Sequence, residues 1–100
     1  MSTLSVIIPT FNRRDQVLRA IASADAQTRR VDEIIVVDDG STDATTEALI
    51  SRQHDEMLPP LRIIRQENGG PAAARNAALR VARSDLVAFL DDDDVWHPNK

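Results

Sequence analysis

The sequence contains no cysteine, which excludes disulfides, thiolate metal sites and cysteine nucleophiles. No apolar run approaches the ~18 residues needed to span a bilayer. No basic segment followed by an apolar stretch and a small-residue cleavage site opens the chain, so no signal peptide is visible and the cytoplasm is the expected compartment. Basic excess is also missing. Lys and Arg total 12 against 16 Asp and Glu, a formal charge of -4. A nucleic-acid binder would usually show a basic face, so no nucleic-acid partner is expected. A small phosphorylated ligand held together with a metal remains compatible with that balance. Repeats and low-complexity linkers are absent, and 100 residues suit a single domain with a modest core.

What is present is an alternation of short apolar runs and helical patterns. Leu4-Ser5-Val6-Ile7-Ile8 is rich in β-branched residues and stops at Pro9, which cannot donate to a sheet ladder. Asn12 is a good N-cap for a helix with Val17, Leu18, Ile21 and Ala24 at helical spacing. Glu33 to Val37 reads as a strand apolar on both faces, as in a parallel sheet covered by helices. A polar turn, Asp38 to Asp43, leads to a helix with Ala44, Ala48 and Leu49 that should end before Gln53 and His54. Leu61 to Ile64 is a short third strand. The loop Asn68-Gly69-Gly70-Pro71 opens an Ala-rich helix over 72–83, with Ala78, Leu79 and Ala82 as packing positions. Leu86 to Leu90 is the fourth strand. The order β-α-β-α-β-α-β predicts an α/β fold, a Rossmann-like parallel sheet with helices on both faces. Pro9, Asp39 and Asp91 to Asp94 would then lie along one edge of that sheet.

Asp91-Asp92-Asp93-Asp94 follows the fourth strand directly. Two like charges ~4 Å apart repel by about 4 kcal/mol near a protein surface. Solvent, protonation or a divalent cation must offset this, and carboxylate oxygens suit a hard cation. A solvated turn is the usual fate of a charge run. The place outside the carboxyl end of a strand, where open α/β sheets bind ligands, points instead to a metal site.

Four segments occur in a telling order: Ser5-Val6-Ile7-Ile8-Pro9-Thr10-Phe11-Asn12, Val36-Val37-Asp38-Asp39-Gly40-Ser41-Thr42-Asp43, Asn68-Gly69-Gly70-Pro71-Ala72-Ala73-Ala74-Arg75-Asn76 and Phe89-Leu90-Asp91-Asp92-Asp93-Asp94. Together they resemble the N-terminal half of family-2 glycosyltransferases of the GT-A fold, over nearly the whole chain. The resemblance implies inverting transfer from a nucleotide-diphosphate sugar, usually UDP-linked, to an unidentified saccharide, lipid or protein acceptor, with Mn²⁺ or Mg²⁺. Any membrane association would come through that acceptor. It further implies that Pro9, Thr10, Phe11 and Asn12 cup the nucleobase, and that Asp39 accepts from the uracil N–H while Asp38 holds the loop. Capping of the next helix is the plainer role for both aspartates. Asn68, Gly70 and Arg75 fall in the third nucleotide-binding segment. Arg75 either contacts the nucleotide through its guanidinium fork or pins the acidic loops by pairing with Asp39 or Asp91.

Phe89-Leu90 before and Trp96-x-Pro98 after align Asp91-Asp92-Asp93 with the family's Asp-x-Asp motif, and the resemblance implies that Asp93 would be the direct metal ligand. Asp92 would face the ribose, Asp91 would support the metal through water or hydrogen bonds, and Asp94 would lie behind them. The family often has a small residue where Asp92 stands. Trp96, the one tryptophan, either lines the sugar pocket or packs beside Pro98. His54, and the pairs Arg13-Arg14 and Arg29-Arg30, read as solvated, and the closeness of His97 to the acidic run is weak support for a ligand.

Other functions compete. A haloacid-dehalogenase-type phosphatase also sets an aspartate after an apolar strand, but it separates its two aspartates by one residue, and Asp38 and Asp39 are adjacent. A nucleotidyltransferase would show a Gly-rich phosphate loop and a Lys near the first strand, and neither is present. A non-catalytic nucleotide-binding module or fragment is the alternative from another class. The family's catalytic carboxylate comes later than these motifs, so no catalytic base is assigned here and a domain truncated at its C-terminus is expected. An uncovered sheet edge would then favour homo-oligomers.

Overall fold

The computed structural model describes residues 2–96. Its elements are β1 (Leu4–Thr10), α1 (Arg14–Asp25), β2 (Glu33–Asp38), α2 (Thr45–Gln53), β3 (Leu61–Arg65), α3 (Gly70–Val81) and β4 (Leu86–Phe89). Every residue of β2 is buried, as befits an apolar strand covered on both sides. The two-residue period of a strand sorts its side chains between two cores. Val6, Ile8, Ile34 and Val36 meet Val17, Ala20 and Ile21 of α1 and Leu49 of α2 on one face. Ile7, Ile35 and Val37 turn the other way, onto Ala74 and Ala78 of α3.

All strand pairs are parallel and the order is β3-β2-β1-β4. The chain steps from β1 outward to β2 and β3, then returns past both to lay β4 on the far side of β1. Right-handed crossovers in opposite directions place their helices on opposite faces. That is why α1 and α2 share one face and α3 covers the other. The direction reverses between β1 and β4, so the crevice beyond their carboxyl ends is where such a sheet binds ligands.

Some details differ from the sequence expectation. β1 runs through Pro9 to Thr10. On one side Leu90 N–H donates to Ile7 O (3.0 Å), and on the other Asp39 N–H donates to Thr10 O (2.9 Å). By alternation Pro9 turns its missing donor toward β4, beyond the last paired residue Phe89, where no ladder bond is lost. Helix α3 ends at Val81 rather than Arg83, because Ala82 is extended and Arg83 N–H donates to Glu33 Oε2 (2.8 Å). Leu79 is 46% exposed rather than packed. The buried stripe of α3 is Ala74 and Ala78, and a residue one step on lies ~100° around the helix.

Two polar clusters brace the sheet and helices away from the carboxyl edge. Glu33 accepts from Ser5 Oγ (2.6 Å) and pairs with Arg62 (3.5 Å) as well as binding Arg83 N–H. Burial pushes its carboxyl up, but the bonds from Arg83 N–H and Ser5, together with Arg62, prevail and hold it below its usual value. Between α1 and α2, Asp25 and Arg52 pair at 2.8 Å with side chains 11% and 10% exposed. At the sheet's edge β4 leaves Leu86 and Phe89 half-exposed. No described helix is long and apolar enough to cross a membrane.

Candidate functional site

The loops that leave the carboxyl ends of the strands enclose a cleft of about 590 Å³. It is lined by Pro9, Thr10, Phe11, Asp39, Asn68, Gly70, Arg75, Asp91, Asp92 and Asp93, joined by Arg13, Pro71 and Ala74. The structure thus brings together all the expected site residues but Asn12. Topology makes this possible: residues more than 80 positions apart meet because β4 returns beside β1.

The adjacent aspartates at the end of β2 have separate tasks. Asp38 is fully buried. Its Oδ1 accepts from Ser41 N–H (2.9 Å), and its Oδ2 accepts from Thr46 Oγ1 (2.6 Å) and Arg65 Nη1 (3.2 Å). It holds the loop against α2 and β3, and its complete burial withdraws it from any phosphate in the cleft, which argues against the phosphatase alternative. Asp39 turns into the cleft. Its Oδ1 accepts from Gln66 Nε2 (3.0 Å) and Gly69 N–H (2.7 Å), and its Oδ2 from Gly70 N–H (3.0 Å). Asp39 therefore caps α3, across the cleft, rather than the helix that follows it. Glycines at the start of α3 offer no side-chain cap of their own. Burial raises the Asp39 carboxyl, but the Gln66, Gly69 and Gly70 donors outweigh it and leave the group below its usual range. A carboxylate has about four acceptor positions, so one on Oδ2 is left for a ligand. Helix α2 is served instead by Asp43, whose carboxylate accepts from the Thr45 hydroxyl and Thr45 N–H, and these bonds lower it.

Asn12 departs from expectation in two ways. It does not cap α1, whose first residue is Arg14 and which has no side-chain cap. Its φ of 51° turns it away from the cleft onto the second loop. There Oδ1 accepts from Thr42 N–H (2.8 Å) and its own N–H donates to Ser41 Oγ (2.9 Å). Asn tolerates this left-handed conformation better than most residues. Asn12 therefore clips the first loop to the second, and the cleft receives its neighbours Phe11 and Arg13.

Arg13 is not merely solvated. Its Nη1 lies 3.1 Å from Asp93 Oδ2 and 3.6 Å from Asp92 Oδ1. The only sequence signal was its position beside the first motif, because its partners are 80 residues away. The acidic run forms a turn, with Asp94 N–H donating to Asp91 O (3.0 Å). Asp92 points inward and accepts from Thr10 Oγ1 (2.9 Å). Burial and the Asp93 charge push its carboxyl up, against the pull of Thr10, Arg13 and Phe11 N–H. Asp93 and Asp91 face outward into the cleft, and Asp94 lies outside it, bonding Val95 N–H.

Arg75 sits with its guanidinium 5.8 Å from the centroid of the Phe89 ring, a cation–π distance. Among the described residues neither Asp39 nor Asp91 forms an ion pair with it, and Arg75 lines the cleft. Trp96 packs against the α1 side of the core and its N–H donates to Ser23 Oγ (3.1 Å), away from the cleft. His97 and Pro98 lie outside the described residues.

No group of three His, Cys, Asp or Glu among the described residues is arranged to hold a metal alone. The donor chemistry fits a cation of another kind. Mg²⁺ commonly takes one or two carboxylates and completes its shell with water and substrate phosphates. Asp91 and Asp93, exposed at the cleft, would be the carboxylates to hold it.

Comparison with known proteins agrees with this geometry. The family described as glycosyl transferase family 2 matches residues 5–100. Succinoglycan biosynthesis protein ExoU of Rhizobium meliloti is 42% identical over 95% of the chain, which covers 27% of ExoU. Among solved structures, the mannosyltransferase PcManGT of Pyrobaculum calidifontis, in complex with GDP-Man and Mn²⁺, superposes with a TM-score of 0.87 at 31% identity. It involves 95% of this chain and 28% of that one. S. aureus TarS 1-349, in complex with UDP, gives 0.83 at 30% identity over 97% of this chain and 29% of that one. The chain therefore spans under a third of the length of each of these proteins. An α/β sheet with this order, a cleft at the reversal of that order and matched motifs along its rim have one common source: the chain belongs to glycosyl transferase family 2.

Proposed function

We propose that the chain is the donor-binding portion of an inverting glycosyltransferase that uses a UDP-linked sugar and Mn²⁺ or Mg²⁺. The observation that carries the reading is the convergence, in one cleft, of an exposed aromatic (Phe11), a carboxylate with one open acceptor position (Asp39) and the outward pair Asp91 and Asp93. Support comes from similar proteins solved with UDP, with UDP-GlcNAc, and with GDP-Man and Mn²⁺.

In this reading Phe11 and the Pro9-Thr10 backbone flank the base, and the free position on Asp39 Oδ2 accepts from uracil N3–H. Asn68, Gly70 and Arg75 border the nucleotide, with the Arg75 fork available to phosphate or carbonyl oxygens. Asp92 serves chiefly to tie the β4 loop to Thr10, and its ribose contact is secondary. Asp93 and Asp91 would hold the cation, which when bound supplies charge neutralisation to the departing diphosphate. Inversion requires the acceptor hydroxyl to attack from the side opposite the leaving group and to give its proton to a base. The cleft carboxylates are committed to Thr10, Arg13, the start of α3 or the cation, so we assign the base, and the acceptor site, to protein outside these 100 residues. We assign the protein to the cytoplasm.

Titration of UDP and of uridine, with and without Mn²⁺, tests the proposal. Mn²⁺ should tighten UDP and leave uridine unchanged, since only UDP carries the diphosphate. An equal effect on both ligands would refute a cation shared with the diphosphate.

A further inference from the structure

Arg13 is the one basic side chain that pairs with the acidic turn among the described residues. Its carbonyl accepts from Val17 N–H (2.8 Å), so its backbone is fixed at the start of α1. Its side chain is 47% exposed and reaches Asp93 Oδ2 at 3.1 Å, with Asp92 Oδ1 at 3.6 Å. The two partners differ. Asp92 is 13% exposed and anchored by Thr10, whereas Asp93 is 60% exposed and Arg13 is its one hydrogen-bond donor among the described residues. The Arg13–Asp93 bond can therefore break by rotation of two exposed side chains, with no change in the backbone.

The geometry points to Arg13 as an internal counter-cation that occupies Asp93 in the metal-free protein and is displaced by the divalent ion, so that it sets how tightly the cleft binds metal. This rests on the proposed role of Asp93 as a metal ligand. A guanidinium and a divalent cation cannot share one carboxylate face without repulsion. Exposed ion pairs are individually weak. Arg13 is therefore a brake on metal binding of modest strength, released without unfolding the loop. In its absence the turn would carry four uncompensated carboxylates, so the guanidinium also offsets their repulsion while the cleft is empty.

The test is calorimetric titration of Mn²⁺ alone into the full chain without nucleotide, for wild type, Arg13→Gln, Arg14→Gln and Asp93→Asn, with thermal unfolding of each. Arg13→Gln should bind Mn²⁺ about fivefold more tightly than wild type. Its midpoint without metal should fall, and Mn²⁺ should raise it by more than it raises wild type. Arg14→Gln removes the neighbouring charge, which pairs with Asp15 outside the cleft, and should change affinity little. Unchanged or weaker binding by Arg13→Gln, or no measurable binding by it, overturns the inference, as does an equal gain in Arg14→Gln, which would indicate a general field. Separately, Mn²⁺ affinity unaffected by Asp93→Asn would overturn the metal-ligand role itself, whatever Arg13→Gln does.

Discussion

Replacing Asp39 by asparagine separates the two tasks assigned to that side chain. The carboxylate takes Gln66 Nε2 and Gly69 N–H on one oxygen and Gly70 N–H on the other. An amide of the same shape offers one acceptor oxygen, so it retains at most the first pair and sets its NH₂ against Gly70 N–H. A hydrogen bond to a charged group contributes ~1.5–3 kcal/mol, and at this partly exposed site about 2 kcal/mol is expected. For a domain of this size that lowers the melting midpoint by roughly 10 °C. The same NH₂ now occupies the position proposed for uracil N3–H, so two donors face each other and UDP should weaken on the order of tenfold or more, ~1.4 kcal/mol or above. ADP, whose adenine has no ring N–H to place there, should be affected much less. Urea unfolding and calorimetry with both nucleotides measure the two effects independently. An unchanged unfolding midpoint would refute the cross-cleft cap. Equal losses for UDP and ADP would mean that Asp39 shapes the loop without selecting the base.

Three further outcomes follow from the polar braces of the sheet and helices and from the start of α3. Glu33 has its carboxyl lowered from 4.5, so the unfolded chain binds more protons than the folded one. Its contribution is fully present above pH 4.5 and is lost as pH falls below that through the lowered value. Glu33→Gln should cost ~1.5–3 kcal/mol at pH 7 and flatten the acid limb of the stability profile; an unaltered limb would contradict this. Asp25→Ala leaves the Arg52 guanidinium buried with the Pro59 carbonyl as its remaining partner, and should cost about 3 kcal/mol in denaturant titration. Gly70 has a φ of 82° with nothing within 4 Å of an added Cβ, so Gly70→Ala should cost ~1–2 kcal/mol from backbone strain alone, and a cost near zero would show that the start of α3 relaxes.

The parts of the fold legible in the sequence are those set by local pattern. Apolar runs at 4–8, 33–37, 61–64 and 86–90 and the 3.6-residue spacing of Val17, Ile21 and Ala24 each specify an element without reference to the rest of the chain. Four strands separated by helices then leave little topological choice, and their carboxyl ends define the cleft. The positions around the cleft were legible because motifs mark them, and ten of the eleven expected positions line it.

Contacts between distant residues were not legible. Asn12 satisfies the local rule for a cap, yet its side chain is claimed by Thr42 and Asp43 N–H from another loop. Arg13 looks like any surface arginine until β4 brings Asp92 and Asp93 beside it. Nothing near Asp39 indicates that its donors are Gln66, Gly69 and Gly70, nor near Leu79 that the packed stripe of α3 is made of small alanines. Pro9 marks a strand end by local rules, and only the early end of β4 explains why β1 passes through it.

The central claim is a divalent cation shared between Asp93 and the donor diphosphate. Calorimetric titration of UDP into wild type and Asp93→Ala, each with and without Mn²⁺, tests it most directly. Mn²⁺ should tighten UDP in wild type, and Asp93→Ala should abolish this gain while leaving the metal-free affinity near the wild-type value. Equal UDP affinity in all four titrations would contradict it.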